Sequence, residues 1–191
     1  MDKKIPVEVS ARHCHLSKED LEKLFGAGYE LKKLKQLSQP SDFAAQETVR
    51  IEFGSKKFEN VRIVGPVRQK TQVEVSLTDA VGSGVLPPLR LSGQLENSAP
   101  VAVSGPAGRV ELKEGFIVAK RHIHCATKEA VNFGLKTGDI VSVRITSERP
   151  VTFHDIPVRV SDNYDFHLHL DTDEANAAGI NPVKSEGVII K

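Results

Sequence analysis

The chain has almost no net charge, few cysteines, no long apolar run and no nucleotide-binding glycine motif, and each shortage removes a class of protein. Its 26 basic and 25 acidic side chains leave a formal net charge of +1, so no bulk field draws it to nucleic acid or to a membrane surface. No apolar stretch approaches the ~20 residues a membrane helix requires, and the opening MDKKIPVEVS lacks the apolar core of a signal peptide. The expectation is a cytoplasmic protein with neither nucleic acid nor membrane as partner. The two cysteines, Cys14 and Cys125, each lie beside a histidine pair, and in a reducing compartment both are expected as thiols rather than as a disulfide. The absence of a G-x-x-x-x-G-K-[ST] loop and of a G-x-G-x-x-G fingerprint argues against P-loop and Rossmann nucleotide sites.

What is present reads mainly as β structure. With 191 residues, 39% hydrophobic and 27% charged, the chain suits one large β domain or two small ones. Short Val- and Ile-rich segments bounded by Gly, Pro, Asn or Asp predict strands at 7–9, 48–53, 60–65, 71–76, 116–119, 139–145 and 156–161. Helix signals are fewer. Ser17 with Asp20 predicts a cap for a helix ending near Gly26, Thr127 opens another ending near Gly134, and Thr172 precedes DEANAAG. Pro, Gly and Ser cluster between Leu86 and Gly108 as in a connection.

The chain also repeats itself. VEVSARHCHLSKEDLEKLFGAG matches FIVAKRHIHCATKEAVNFGLKTG, which places His13 and His15 on His122 and His124; NVRIVG matches PVRVS, and TQVEVSLTDAVGSG matches DFHLHLDTDEANAAG. In the last match Glu74 falls on His169 and Asp79 on Glu174. Duplication of one β unit explains this, giving two similar β domains: residues 11–120 form the first, and 121–191, completed by strand 1–10, form the second.

Six of the seven histidines lie in three H-x-H pairs: His13/His15, His122/His124 and His167/His169. Random placement at this frequency gives roughly a quarter of one such pair. On an extended strand alternate residues point the same way, so each pair offers two imidazoles to one metal ion. The repeat then pairs His13, His15 and Glu74 for one ion and His122, His124 and His169 for another. Three protein ligands with an open position describe a catalytic zinc rather than a structural one. His167 aligns with Gln72, which is no metal ligand here, and is read as a supporting or surface group; His154, alone in a loop-like stretch, is read as solvated. The strand period turns Cys14 and Cys125 away from the metal face, as core thiols.

Arg68 stands six residues ahead of Glu74 in GPVRQKTQVEVS, a stretch two residues longer than its repeat partner. A guanidinium fork near a metal suits a phosphate, which it binds bidentately. Lys70 is a weaker candidate for the same role.

The segments SARHCHLS, QPSDFAAQETV, VRIVGPVRQKTQVEVSLTDA, PLRLSG, VAKRHIHC and HLDTDEANAAG together resemble the PduL-type phosphotransacylases, or phosphate propanoyltransferases, over nearly the whole chain from Ile5 to Pro182. The resemblance implies two opposed β-barrels with short helices, the first strand completing the second barrel, and a dinuclear zinc site between them. It implies metal ligands at His13, His15, Glu74, His122, His124 and His169, and phosphate binding by Arg68, the catalytic arginine. The implied reaction interconverts a short acyl-CoA, propanoyl or acetyl, plus phosphate with acyl phosphate plus CoA, and one zinc meets the CoA sulfur. Microcompartment members, as in propanediol degradation, carry an N-terminal extension ending in an amphipathic helix; only MDKK precedes the first strand here, which favours the bacterial cytoplasm over a microcompartment lumen. A homo-oligomer is left open.

Zinc can polarise a thioester carbonyl and accept a thiolate, so the expected chemistry is direct attack of phosphate with no acyl-enzyme. The rival reading is a dinuclear zinc hydrolase acting on a thioester or phosphoester, with the same ligand types activating water. A purely structural metal protein would close each shell with four ligands, and each repeat offers three.

Overall fold

The computed structural model describes residues 3–180 and 185–190. The domain limits at 1 and 191 and the end of the resemblance at Pro182 fall outside the described residues. In chain order the elements are β1 (Lys4–Ser10), β2 (His13–His15), α1 (Lys18–Phe25), β3 (Lys33–Gln36), β4 (Phe43–Phe53), β5 (Lys56–Gly65), β6 (Gln72–Val75), α2 (Leu77–Ala80), β7 (Leu89–Arg90), β8 (Ala99–Ser104) and β9 (Arg109–Ala119). Then follow β10 (His122–Cys125), α3 (Thr127–Phe133), β11 (Ile140–Ile145), β12 (Val151–Val160), β13 (His167–Asp171), α4 (Thr172–Ala177) and β14 (Glu186–Ile190). The protein is mainly β with short helices, and its strands close into two six-stranded barrels.

Two compact units hold these elements: Ala11–Leu37 with Ser41–Ala119, and Met1–Ser10 with Ser38–Pro40 and Lys120–Lys191. The first unit closes as β4-β5-β2-β6-β9-β8, with β8 pairing back to β4 and β3 and β7 added at its margins. The second closes as β1-β13-β10-β12-β11-β14. The two rings follow one plan. In each, the histidine strand lies between a parallel neighbour, β5 or β12, and an antiparallel one, β6 or β13. The antiparallel neighbour is flanked on its other side by a parallel strand, β9 in the first ring and β1 in the second. The chain therefore starts with the strand that the second ring needs.

Each ring is filled by its own core, because the strand period sends alternate side chains inward. In β11, Val141, Val143 and Ile145 are buried while Ile140 and Arg144 are exposed. Leu16, Leu24, Ile51, Ile63 and Phe116 fill the first core; Ile5, Ile123, Ile156, Leu168 and Leu170 fill the second. Each such side chain contributes about 1.5–3 kcal/mol relative to exposure.

The structure revises several local expectations. The stretch 86–108, read as a connection, contains β7 and β8. His154 lies on β12 rather than in a loop; it is exposed, with Nδ1 2.8 Å from Ser142 Oγ. A bulge there sets His154 and Asp155 against Ser142, and Asp155 adopts φ 53°, which explains why HDIP reads as irregular. Ser17 does cap α1, its Oγ accepting from Asp20 N–H at 3.1 Å. For α4 the cap is Asp171 and Thr172 is the first helical residue; Asp171 and Glu174 form a reciprocal capping box.

Candidate metal centres

Period-two alternation splits each histidine strand into two faces. Cys14 on β2, and Ile123 and Cys125 on β10, are fully buried and enter the cores, while the histidines point to the other side. Both cysteines are thiols, and burial pushes Cys14 well above the ordinary thiol range and Cys125 up to about 11. Neither is a ready nucleophile.

In the first barrel β2 and β6 set His13 opposite Glu74 and His15 opposite Gln72. His13 Nε2 lies 3.2 Å from His15 Nε2, and these atoms are 3.8 and 3.9 Å from Glu74 Oε1. Tetrahedral zinc with bonds of about 2.0–2.1 Å separates its ligand atoms by about 3.3 Å, so the spacing is close to that of a filled shell. The tautomers make a stronger case. Both Nδ1 atoms face carbonyl oxygens, His13 that of Ala11 at 2.9 Å and His15 that of Val64 at 2.9 Å. A carbonyl only accepts, so each Nδ1 carries a hydrogen, and the two Nε2 atoms are left facing each other. A metal ion placed among the two Nε2 atoms and the carboxylate would be met by all three donors at once. Burial, reinforced by His13, pushes His15 down to about 3, and the nearby Arg68 acts in the same direction. The neutral imidazole is the form that binds metal.

In the second barrel β10 and β13 set His122 opposite His169 and His124 opposite His167. The donor atoms of His122, His124 and His169 lie within 4.8 Å of one another, as do those of the first triad. His122 repeats the backbone device of His13, with Nδ1 3.0 Å from the carbonyl of Lys120. Burial, followed by His122 and His124, drives His169 well below the ordinary histidine range. Tyr164 stacks on His124 with ring centres 4.0 Å apart. His167 is outside the triad; its ring centre is 6.4 Å from that of His169.

Arg68 sits in the loop after β5. Its N–H donates to Leu16 O at 2.8 Å, and its Nη2 reaches both Asp42 carboxylate oxygens at 3.2 and 3.3 Å. Gly65 opens this loop because a Cβ there would meet the Phe43 ring at 2.4 Å. Lys70 is exposed.

Several supporting residues escape the sequence reading. Gln72 donates to Glu74 Oε1 at 2.6 Å and is itself held by Gly93 N–H at 2.9 Å, which fixes the carboxylate. Asp42 partners Arg68. Arg12, just before the first histidine pair, grips Asp79 through two bonds of 3.1 and 2.6 Å, and Arg121, just before the second, reaches Glu174 at 2.7 Å. The signal for that last pattern was present, because the repeat aligns both arginines and both acids.

Fold and sites together define a class: a two-barrel β protein with a three-donor, metal-competent cluster in each barrel. The family model for phosphate propanoyltransferase matches residues 6–181. The chain is 53% identical to the phosphate propanoyltransferase of Lachnoclostridium phytofermentans over 178 residues, 92% of this chain and 83% of that protein. It is 51% identical to that of Thermotoga maritima over 178 residues, covering 93% and 85%, and 46% identical to that of Clostridioides difficile over 187 residues, covering 98% and 88%. The chain belongs to the phosphate propanoyltransferase family, and is thus a phosphotransacylase. Among the described residues no helix is long and apolar enough to cross a membrane.

Proposed function

We propose that the chain moves a propanoyl or acetyl group reversibly between CoA and inorganic phosphate, with zinc as the metal and one ion at each triad. The observation that carries the metal reading is the first triad, where two imidazole Nε2 atoms, each ring held through Nδ1 by a backbone carbonyl, face each other at 3.2 Å beside a buried carboxylate. When bound, zinc would polarise the thioester carbonyl and accept the thiolate sulfur of the departing CoA. His13, His15 and Glu74 would hold the first ion, and His122, His124 and His169 the second.

The protein's own groups do the rest. Arg68 binds phosphate through its planar fork and orients one oxygen for attack, its charge offsetting that of the nucleophile. Asp42 holds one nitrogen of the fork, with Arg68 Nη2 3.2 Å from its carboxylate. The new bond joins a phosphate oxygen to the acyl carbon, the carbon–sulfur bond breaks, and CoA leaves as thiolate. An acyl-enzyme on cysteine is disfavoured, because both thiols are buried in the cores with raised pKa.

The test against hydrolysis is CoA release from propanoyl-CoA and acetyl-CoA with and without phosphate, with acyl phosphate measured in parallel. Release should require phosphate and match acyl phosphate one for one. Equal release without phosphate would replace transfer by a zinc hydrolase. The domain limits 11–120, and 121–191 with 1–10, are likewise proposed as the two copies of one duplicated unit.

A further inference from the structure

The two triads differ in one ligand, Glu74 in the first and His169 in the second, and the strand beside that ligand differs in the complementary sense. In the first barrel β9 places Ile117 next to Glu74; in the second β1 places Glu8 next to His169. Glu8 and Ile117 are repeat equivalents in the alignment that matches His13 with His122. Each barrel therefore has one carboxylate at this point, at the donor position in the first and behind the donor in the second. Glu8 Oε2 lies 3.3 Å from His169 Nδ1. A carboxylate only accepts, so this ion-pair contact favours the hydrogen on Nδ1 and the lone pair on Nε2.

Two neighbours hold the arrangement. Ser38 Oγ donates to Glu8 Oε2. The next residue, Gln39, is buried, and its side chain exchanges two hydrogen bonds with the Asp165 backbone, at 3.1 and 3.2 Å, while its Nε2 approaches His169 Nε2 to 3.5 Å. Ser38–Pro40 belongs to the second unit although the chain on either side belongs to the first, so this short segment supports the wall of the second site.

We propose that Glu8 is a positioning residue of the second metal site: its carboxylate, steadied by Ser38, locks His169 in the Nδ1–H tautomer and supplies the negative charge that Glu74 supplies directly in the first. A carboxylate behind a metal-bound imidazole fixes the ring and raises its basicity, and removing such a partner typically lowers metal affinity 10–100-fold. A divalent ion in either triad thus meets one carboxylate charge, in direct contact in the first and through an imidazole in the second. The proposal rests on the reading of His122, His124 and His169 as metal ligands.

The experiment titrates metal-free protein with zinc against a chelating indicator, for the wild type, Glu8→Ala, Glu8→Gln and His169→Ala, and reads His169 by nitrogen-15 NMR in the metal-free state. Wild type should bind two equivalents. Glu8→Ala should weaken one of them by about 10–100-fold and leave the other unchanged, and its His169 should show a mixture of tautomers. Glu8→Gln, which keeps an acceptor without the charge, should fall between, and it serves if the alanine variant does not fold. Should Glu8→Ala and Glu8→Gln keep two wild-type affinities while His169→Ala loses one ion, the proposal is overturned and the triad stands. Two ions retained by His169→Ala would overturn the triad reading, and the proposal with it.

Discussion

Arg68 makes the sharpest case at the scale of the residue. Its guanidinium is partly exposed and tied to Asp42 by one nitrogen, leaving donors for a second anion. Replacing it with alanine removes a charge-assisted contact of about 1.5–3 kcal/mol, so phosphate use should fall about tenfold or more. Zinc content, measured on the same sample, should not change, because arginine is not a ligand. Lysine at this position keeps charge without the fork and should recover part of the rate. A normal apparent phosphate affinity in Arg68→Ala would move the role to another cation, with Lys70 the next to replace. The two three-residue clusters were legible in the sequence because H-x-H on a strand encodes its own geometry and the repeat supplies the third member. Asp42, Gln72 and Glu8 were not, since each acquires its role from strand pairing or loop placement rather than from a neighbour in sequence.

Among the elements, the arginine clamps tie each histidine strand to the short helix that follows the strand carrying the third residue of each cluster. Arg12 grips Asp79, which also forms the capping box of α2 with Ser76, and Arg121 grips Glu174 in the capping box of α4. The guanidiniums lie over Phe58 and Phe153, 4.5 and 5.6 Å from the ring centres. Arg12→Ala would leave a buried carboxylate short of its strongest partner, a loss of about 1–3 kcal/mol. The thermal midpoint should drop by several degrees, because each kcal/mol moves a domain of roughly 100 residues by about 4–8 °C; an unchanged midpoint would make the clamp ornamental to stability. The strands that sequence reading found are the Val- and Ile-rich ones. It missed β8, because APVAVS combines alanine and proline between glycine- and serine-rich flanks and becomes a strand only through β4 and β9. The four-residue α2 is too short to show a helical period.

For the whole molecule the duplication is the organising fact, since it gives each barrel its own core and its own triad. The two ions should therefore be lost separately. His15→Ala should release one zinc and leave the other bound, and His124→Ala should do the reverse; loss of both ions from either variant, with the fold intact by circular dichroism, would mean that the triads are not independent. The double-barrel plan was legible because the repeat spans both histidine strands, and the family resemblance assigned the first strand to the second barrel. The central claim is that acyl transfer to phosphate depends on these metal sites. The most direct measurement strips zinc with a chelator, confirms the loss by elemental analysis, and follows phosphate-dependent CoA release from propanoyl-CoA as zinc is returned. Activity should vanish with the metal and recover fully at two zinc ions per chain, whereas full activity in protein freed of metal would contradict the account.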